Sequence, residues 1–487
     1  MVFSSLTFIY LFLPANFILY YMSKSRTWRN TVLVCCSMFF YAWGEPVWVL
    51  LLIFSALIDY LMALVIDRYR EHPTIPKLMV ALTLCANLGF LIIFKYSGFL
   101  VESVNSLTGL GLPVPQIALP IGISFYTFQI ISYVIDIYRD DVPVQRNFWK
   151  FLLYVSMFHQ LVAGPIVRYA HIAHEIDHRQ ASMEDISHGI NRFMVGLSKK
   201  VIFANGCGQM ATSYMAAAPQ NLTALSAWFG LAMYSMQFYF DFSGYSDMAI
   251  GMGRMFGFHY YENFDYPFIS QSVSEYWRRW HISLGTWFKD YLFYPLMMSG
   301  GFRKFGKWGK ARFGKKNGAL LPTVAALCIV WLATGLWHGA NWNFVIWGLY
   351  FGFWLIVEML FLGKMIAKLP RFFRHVYLMV IVMVGFGIFN FSDMASFGAF
   401  LGVLMGFGTG SDPTLALTVS GNIYFIIISV LFCTPAVPYL WKRIAEKSER
   451  TALVLEGLRV PANLAILLLC TALLVGQSYN PFMYFRF

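Results

Sequence analysis

Long apolar segments recur along this chain of 487 residues, and they constrain its fold more than any other feature. Most are long enough to cross the hydrocarbon core of a bilayer as a helix. Hydrophobic residues make up 58% of the chain and charged residues only 12%, about half the share that soluble globular proteins carry. We therefore predict an all-α, polytopic membrane protein with about eleven transmembrane helices. The predicted spans lie near residues 6–22, 31–44, 47–66, 78–100, 117–137, 222–242, 319–336, 342–362, 375–392, 420–440 and 458–477.

Other apolar segments are too short to cross the membrane, and we expect them to be re-entrant or interfacial helices. Residues 151–163 are followed by a Gly-Pro pair, which interrupts a helix. Residues 246–258 are a second short segment, and residues 397–409 are a third, which we expect on the outer side. The stretch 262–295 mixes aromatic and charged side chains, a pattern typical of helices that line a cavity or lie at the interface.

The distribution of basic residues predicts the topology. Lys and Arg follow the first, third and fifth spans, whereas the loop 102–116 after the fourth contains neither. Because cytoplasmic loops carry the excess of Lys and Arg, this alternation predicts that the N-terminus is outside. By the same rule the loop 302–316, with seven basic residues, is cytoplasmic and the C-terminus is outside. The net charge of +12 therefore reflects membrane topology, and we exclude nucleic acid as a partner.

One motif imitates a metal site. Residues 174–178 read His-Glu-Ile-Asp-His, which matches the H-E-x-x-H pattern of zinc proteases. On a helix, His171, His174 and His178 would share a face. However, the flanking residues are polar and so short a pattern occurs by chance, and the seven cysteines show no spacing typical of zinc or disulfides. We therefore interpret the segment as a cytoplasmic surface helix and expect no metal site.

Two carboxylates, Asp241 and Asp247, directly follow an apolar span. They can cap or end a helix in the headgroup region, which is a common role for Asp near Ser and Gly. Alternatively, Asp241 is buried in a tunnel and orients a cation or a histidine, because acids inside a membrane are usually functional. The residues leave both interpretations open.

The segment that begins at Glu275 reads Glu-Tyr-Trp-Arg-Arg-Trp-His. In a helix, Trp277 and His281 would share a face, and Glu275 could reach one of the two arginines. An interfacial belt of aromatic and arginine side chains explains the tryptophans but not His281. Arg278 and Arg279 suit either that belt or the phosphates of a nucleotide-bearing donor.

His338 lies between two strongly apolar runs, where an ionisable group has little access to water. A lone histidine in such a place is often a packed core residue. Gly335 and Gly339 leave the backbone bare, so a helix or a substrate can approach closely. Asn341 and Asn343 add amides that could fix a tautomer or bind a developing oxyanion. This setting favours a general base for a hydroxyl that attacks a thioester.

Five motifs complete the pattern. They are Leu-Pro-Ile-Gly-Ile-Ser-Phe-Tyr-Thr-Phe-Gln (119–129), Leu-Val-Ala-Gly-Pro-Ile-Val-Arg-Tyr (161–169), Tyr-Phe-Asp-Phe-Ser-Gly-Tyr-Ser-Asp-Met-Ala (239–249), Tyr-Trp-Arg-Arg-Trp-His-Ile-Ser-Leu (276–284) and Gly-Leu-Trp-His-Gly-Ala-Asn-Trp (335–342). In combination they resemble the membrane-bound O-acyltransferase family, above all its bacterial alginate O-acetyltransferase (AlgI-type) branch. The resemblance extends from the first span to about residue 360.

That resemblance implies a ring of helices around a central tunnel, with an acyl thioester entering from the cytoplasm and the acceptor from outside. The family's essential histidine falls on His338 and its second histidine on His281. We expect His338 to act as general base or to activate the acceptor, and His281 to assist it. The residues expected to bind substrate or line the tunnel are Asp241, Ser243, Tyr245, Trp277, Arg278, Trp337 and Asn341.

We accordingly expect one integral-membrane acyltransferase domain over residues 1–487, with a motif-bearing core over 119–362 and C-terminal helices over 375–487. The expected protein is an O-acetyltransferase of the bacterial inner membrane. It would move acetyl groups from a cytoplasmic thioester, acetyl-CoA or another acyl thioester, to an alginate-like polysaccharide outside. We expect no bound cofactor. The acceptor would be the exopolysaccharide or an exported partner acetyltransferase.

Other functions remain open at this point. Within the family, the alternatives are O-acetylation of peptidoglycan or cellulose and D-alanyl transfer to teichoic acid. A transporter would use Asp241, His281 and His338 as a relay, and inverted repeats, which are not evident in the sequence, would favour it. A scaffold of an export complex would carry out no chemistry.

Overall fold

The computed structural model describes residues 1–162, 164–408, 410–476 and 482–483. Within these ranges the chain is α-helical and contains no β-strand. It forms two compact units. The first unit comprises Met1–Leu197, Tyr245–Glu262 and the described part of Thr471–Phe487, and the second comprises Ser198–Gly244 and Asn263–Cys470. The single domain expected over residues 1–487 stays a prediction.

Helices of very different length make up the first unit. Local side chains fix several of their ends. Ser182 caps the start of Met183–Ser198, because its Oγ accepts a hydrogen bond from the Asp185 N–H at 3.0 Å. The Ser182 hydroxyl in turn donates to the Asp185 carboxylate and lowers its pKa to about 2. The helices are Leu13–Tyr21, Arg26–Gly44, Trp48–Arg68, Ile75–Leu91, Ser97–Thr108, Ile123–Arg139, Phe148–Ser156, Phe158–Leu161, Tyr169–His178 and Met183–Ser198. Short π-helices add Phe8–Phe12 and Ile92–Tyr96.

The second unit carries both candidate catalytic histidines. Its helices are Asn205–Met215, the part of Ala224–Met255 up to residue 244, Val273–Arg279, Ile282–Phe288, Tyr294–Met298, Gly300–Asn317, Leu321–His338, Trp342–Val357, Gly363–Ile366, Arg371–Asn390, Met394–Leu404, Leu415–Gly421, Ile423–Phe432, Ala436–Ala445 and most of Glu449–Val475. Short 3₁₀ and π segments join them at Lys199–Ala204, Pro219–Asn221, Pro267–Ile269, Lys289–Phe293 and Glu358–Leu362.

Among the described residues, six helices are long and apolar enough to cross a membrane, or seven if the bent pair Leu415–Gly421 and Ile423–Phe432 is one span. The chain is thus a multi-pass membrane protein, whereas the predicted number of about eleven spans is not confirmed. Several predicted spans are shorter helices, such as Ile123–Arg139 with 17 residues. The six are Trp48–Arg68, Ile75–Thr108, Leu321–His338, Trp342–Ile366, Arg371–Asn390 and Glu449–Val475. The predicted orientation of the C-terminus falls on residues 484–487, outside the described residues.

Two segments differ from their predictions. The apolar segments 222–242 and 246–258 belong to one helix, Ala224–Met255. Gly244 lies between the two segments, and a glycine inside a helix lowers helix stability by only about 1 kcal/mol. Burial of the neighbouring side chains outweighs this cost. The predicted basic loop 302–316 is also helical, within Gly300–Asn317, and is broken only at Gly314, where φ is 80°.

A close-packed hairpin positions His338. The helices Leu321–His338 and Trp342–Val357 approach each other at Gly335. A Cβ at this position would lie 2.3 Å from the carbonyl oxygen of Phe344, so only glycine permits the approach. The hairpin thereby fixes the place of His338, the last residue of its first helix.

Candidate active site

Aromatic rings surround His338, of which only 7% is exposed. The ring centroids of Trp337, Trp347 and Phe389 lie 4.9, 4.7 and 5.3 Å from that of the imidazole. Trp337 comes from the helix of His338 itself, Trp347 from the other helix of the hairpin, and Phe389 from Arg371–Asn390. Three helices therefore hold this imidazole in place.

The amides near His338 have structural partners. Asn341 precedes Trp342–Val357 as its N-cap, and its side-chain oxygen accepts from the Asn343 N–H at 3.4 Å. The Asn343 side chain donates to the carbonyl oxygens of Phe389 and Ile388 at 3.0 and 3.5 Å. The expectation that these amides fix a tautomer or bind a developing oxyanion stays a prediction.

His281 lies at a sharp turn between two short helices. The helix Val273–Arg279 has ended, and Ile282–Phe288 begins after His281. The backbone of His281 has φ 45° and ψ 52°, the left-handed region that is costly for a residue with a Cβ. Trp277 and His281 therefore do not share a face of one helix, although the sequence predicts that they would if the helix were continuous.

The His281 side chain is 2% exposed and is held by a hydrogen bond. Its Nδ1 lies 3.2 Å from Oδ1 of Asn263, and the ring of Phe242 contacts it edge-on with centroids 4.8 Å apart. Burial lowers the pKa of the imidazole to about 3, because the charged form would lose its hydration. His281 is consequently neutral at physiological pH.

Trp337 brings the two histidines to one place. Its ring centroid is 6.0 Å from that of His281 and 4.9 Å from that of His338. A long basic segment separates these histidines in the sequence. In the second unit, both of them lie against the ring of Trp337. The two imidazoles thus lie on the same indole ring.

An aromatic column continues from His338 along Trp342–Val357. Trp347, which contacts His338, lies 5.2 Å from Phe351, and Trp277 packs on both at 5.6 and 4.9 Å between centroids. The column leads away from His338 toward the other end of the helix.

A cavity of about 480 Å³ lies at that other end. Arg278 and Arg374 both line it, and Nε of Arg374 is buried without a hydrogen-bond partner among the described residues. Glu358 accepts hydrogen bonds from the backbone N–H groups of Val273 and Ser274 at 2.7 and 3.0 Å. Glu275 also lines the cavity and pairs with Arg279 at 3.2 Å, so two guanidinium groups and two carboxylates face this space.

Asp241 does not end a helix. It lies inside Ala224–Met255, is 3% exposed, and accepts from the Lys200 ammonium at 2.5 Å. The helix-cap interpretation is therefore wrong, whereas the place of Asp241 in a tunnel stays a prediction. Ser243, in the same helix, is fully buried, and its hydroxyl has no hydrogen-bond partner within the described ranges.

Tyr245 and Asp247 belong to the first unit and not to the unit of the histidines. The Tyr245 ring stacks on Phe3 with centroids 4.5 Å apart. Asp247 lies 2.6 Å from the Arg192 guanidinium, which also binds Glu262 at 2.5 Å. The expectation that Tyr245 lines the tunnel stays a prediction.

The histidines of the zinc-like motif lie on the helix Tyr169–His178. The rings of His174 and His178 are 4.8 Å apart, so they do share a face. Glu175 instead binds the side chain of His259 at 2.8 Å. In the part of the chain that the structure describes, no group of three His, Cys, Asp or Glu side chains could hold a metal ion. The expected lack of a metal site stays a prediction.

Four residues of the site were missed in the sequence. Lys200 lies 41 residues before the buried acid with which it pairs, Asp241. Asn263, Glu358 and Arg374 lie far along the chain from the other residues of the site, so no local sequence pattern identifies them. Only the polarity of Glu358 at the end of an apolar run could have drawn attention to it.

The chain is similar to one known family and to several known proteins. A family model described as MBOAT, membrane-bound O-acyltransferase family, matches residues 139–308. The probable alginate O-acetylase AlgI of Azotobacter vinelandii is 36% identical to the chain over 519 residues and covers 100% of both sequences. The protein of the same name from Pseudomonas putida is 37% identical over 508 residues, again with 100% of both covered.

A relative of different name is also similar. The peptidoglycan O-acetyltransferase of Helicobacter pylori is 33% identical over 389 residues, which are 74% of this chain and 70% of the relative. The family match ends at residue 308, before His338, whereas the similarity to the Azotobacter and Pseudomonas proteins extends over the whole chain.

Proposed function

Since the chain belongs to the membrane-bound O-acyltransferase family and is an O-acetyltransferase, we propose that it O-acetylates an extracellular or periplasmic polysaccharide of the alginate type. The observation that carries the proposal is the pair of buried histidines, His281 and His338, in contact with one ring, Trp337. The acceptor is inferred from the names of the full-length relatives, which are alginate O-acetylases.

In the proposed reaction, a hydroxyl oxygen of the acceptor attacks the carbonyl carbon of an acetyl thioester. His338 accepts the hydroxyl proton as general base, in line with the family's essential histidine. The new C–O bond forms as the C–S bond breaks, and the departing thiolate recovers the proton from His338. The step balances without a redox cofactor, and we propose that none is bound.

The cavity beside Arg278 and Arg374 supports acetyl-CoA as the donor. Planar guanidinium groups bind phosphate in a bidentate manner, and CoA carries several phosphates. The cavity lies next to the basic stretch that begins at Lys364, which the topology rule assigns to the cytoplasm. Arg278 would thus bind the nucleotide end of the donor.

The acetyl group must then reach His338 from that cavity. Leu355 lines the cavity and Trp342 begins the same helix beside His338, so the separation along the axis is about 20 Å at 1.5 Å per residue. Phe351 and Trp347 lie along this distance. We propose that the extended arm of the donor follows these rings to the histidines.

The acceptor side is proposed to open outward. In this proposal the protein resides in the bacterial inner membrane with both termini outside, and the polysaccharide or an exported partner acetyltransferase receives the acetyl group. The relative from Helicobacter pylori favours one second candidate, O-acetylation of peptidoglycan, because it covers 74% of this chain.

The test uses purified protein in lipid vesicles with radiolabelled acetyl-CoA. Alginate, peptidoglycan and cellulose fragments are offered separately, and label in each polymer is counted for wild type and for His338→Ala. We expect label in alginate with wild type and background with the variant. Preference for peptidoglycan fragments would establish the second candidate instead. Equal labelling above background by both proteins would contradict the role of His338, and no label in any polymer with wild type would contradict direct transfer to the polysaccharide.

A further inference from the structure

Asn263 organises the turn that presents His281. It is fully buried, and its side-chain oxygen Oδ1 lies near three hydrogen-bond donors. The Ser283 hydroxyl donates to it at 2.8 Å, the Ser283 backbone N–H at 3.2 Å, and Nδ1 of His281 lies at 3.2 Å. In addition, the backbone carbonyl of Asn263 accepts the Ile282 N–H at 3.0 Å. Asn263 therefore forms hydrogen bonds to the side chain of His281 and to the backbone of the two residues that follow it.

The Ser283 backbone N–H determines which way the Asn263 amide points. A backbone N–H can only donate, so the atom that faces it must be the amide oxygen and not the NH₂ group. The same oxygen faces His281, and an oxygen with only lone pairs needs a hydrogen from the ring. Nδ1 of His281 must therefore carry the proton.

The proton on Nδ1 leaves Nε2 with a lone pair. A neutral imidazole has one N–H and one acceptor nitrogen, and the bond made by one nitrogen decides the role of the other. Nε2 of His281 is buried, and no hydrogen-bond partner for it occurs among the described residues. A buried acceptor without a partner is costly, so the site favours a ligand that brings a donor.

The backbone of His281 supports the same conclusion. Its left-handed conformation persists only because surrounding contacts hold it, and such conformations occur often at functional sites. The bond from Ile282 N–H to the Asn263 carbonyl lies directly after the strained residue. Asn263 thus holds both the conformation of the turn and the orientation of the ring.

We propose that Asn263 is a positioning residue, which fixes His281 in the Nδ1–H form so that its Nε2 accepts a hydrogen bond from the thioester donor. The donor group is the amide N–H nearest the sulfur in the arm of acetyl-CoA. The contact would orient the acetyl carbonyl beside His338 without any proton leaving His281. This assignment of the ligand rests on the proposed function, whereas the assignment of the tautomer does not.

The tautomer can be measured without activity. Full-length protein with ¹⁵N-labelled histidine is placed in lipid bilayers, and His281 is identified in solid-state NMR spectra by the signals lost in His281→Gln. We expect a protonated Nδ1 and a bare Nε2 in wild type, and a mixture of tautomers or the opposite one in Asn263→Leu. A wild-type proton on Nε2, or an unchanged tautomer in Asn263→Leu, would overturn the proposal.

Kinetics test the role of that tautomer. Asn263→Leu should raise KM for acetyl-CoA about tenfold, with kcat changed less than about threefold, because one binding hydrogen bond is lost. Asn263→Asp keeps an acceptor oxygen and should restore KM at high pH. Its negative charge raises the pKa of His281, so KM should rise again at low pH, where Nε2 becomes protonated. Equal loss of kcat in both variants at every pH would contradict the positioning role.

Ser283→Ala is the matched control. It removes a different donor from the same Asn263 oxygen and leaves the bond to His281, so the tautomer and KM should stay as in wild type. A tautomer change in Ser283→Ala would also contradict the proposal. If wild type transfers no acetyl group while its NMR spectrum shows the expected tautomer, the proposed donor fails and the assignment of Asn263 stands.

Discussion

The two histidines of the site are held by different means. His281 sits at a strained turn, where hydrogen bonds to Asn263 fix its backbone and its ring. His338 ends a long helix, where three aromatic rings and a close-packed glycine hairpin fix its place. A local hydrogen-bond network is sensitive to the chemistry of one or two side chains, whereas ring packing depends on volume across several helices.

This difference suits different tasks. A group that binds and orients a donor needs a defined tautomer, which hydrogen bonds provide. A general base must lie within reach of the hydroxyl, and packing among rings excludes water from that place. The comparison predicts that the two histidines respond to different kinds of substitution.

The largest effect is expected when the histidines themselves are removed. His338→Ala should lower the rate of acetyl transfer about 1,000-fold, since general-base catalysis contributes about 10²–10⁴. His281→Ala should lower it about 10- to 100-fold, because it removes a positioning contact. Initial rates per amount of folded protein, verified by size-exclusion chromatography, check both. Similar losses in the two variants would abolish the distinction between them.

The buried ion pair behind His281 is expected to have the next largest effect. Asp241 adjoins Phe242, whose ring contacts His281. Lys200→Met leaves Asp241 buried without its cation, which should lower the free energy of unfolding by about 3–5 kcal/mol. The double variant Lys200→Met/Asp241→Leu should recover most of that loss. Unfolding in denaturing detergent measures the difference.

An exposed pair supplies the control for this prediction. Lys442 and Glu446 lie 3.8 Å apart with most of both side chains exposed. Lys442→Met should change the free energy of unfolding by less than about 1 kcal/mol. If Lys200→Met/Asp241→Leu is as unstable as Lys200→Met, the loss of stability does not come from the unpaired charge of Asp241.

The hairpin that carries His338 can be disturbed at Gly335. Gly335→Ala places a Cβ 2.3 Å from the Phe344 carbonyl oxygen, so the helices must separate, at a cost of about 1–3 kcal/mol. Gly398 is a matched control, since nothing lies within 4 Å of a Cβ there and Ala favours the helix by about 1 kcal/mol. The thermal unfolding temperature should fall for Gly335→Ala and rise for Gly398→Ala. Shifts of the same sign would rule out close packing as the cause.

The smallest effect is expected at the aromatic contact of His338. Trp347→Leu removes the ring whose centroid is 4.7 Å from the imidazole, and the rate should fall about tenfold because small displacements of a catalytic group are costly. Phe353→Leu on the same helix changes a side chain that is 57% exposed and should leave the rate unchanged. Equal rates for wild type and Trp347→Leu would show that ring packing does not hold His338.

Part of this arrangement could be predicted from the sequence. The helical membrane fold follows from long apolar runs, and His338 stood out because an ionisable group interrupts them. The predicted number of about eleven spans is not confirmed, and hydropathy did not show that Ala224–Met255 is one helix. A segment can be helical and apolar without being long enough to cross the membrane.

The contacts of the site were beyond sequence reasoning. Asn263 meets His281 eighteen residues away, beyond the helix Val273–Arg279, and Lys200 meets Asp241 across 41 residues. The break at His281 overrode the continuous helix that the motif suggested, because Asn263 binds the backbone there. Such pairings depend on tertiary packing and leave no periodic signal.

The central claim is that His281 and His338 act on one acetyl group through a shared site at Trp337. A double-mutant cycle tests it most directly, with acetyl transfer rates measured for wild type, His281→Ala, His338→Ala and the double variant in the same vesicles. Because residues that act as a unit are not additive, we predict that the double variant is no slower than His338→Ala within about threefold. A rate lowered by the product of the two single losses would contradict the claim.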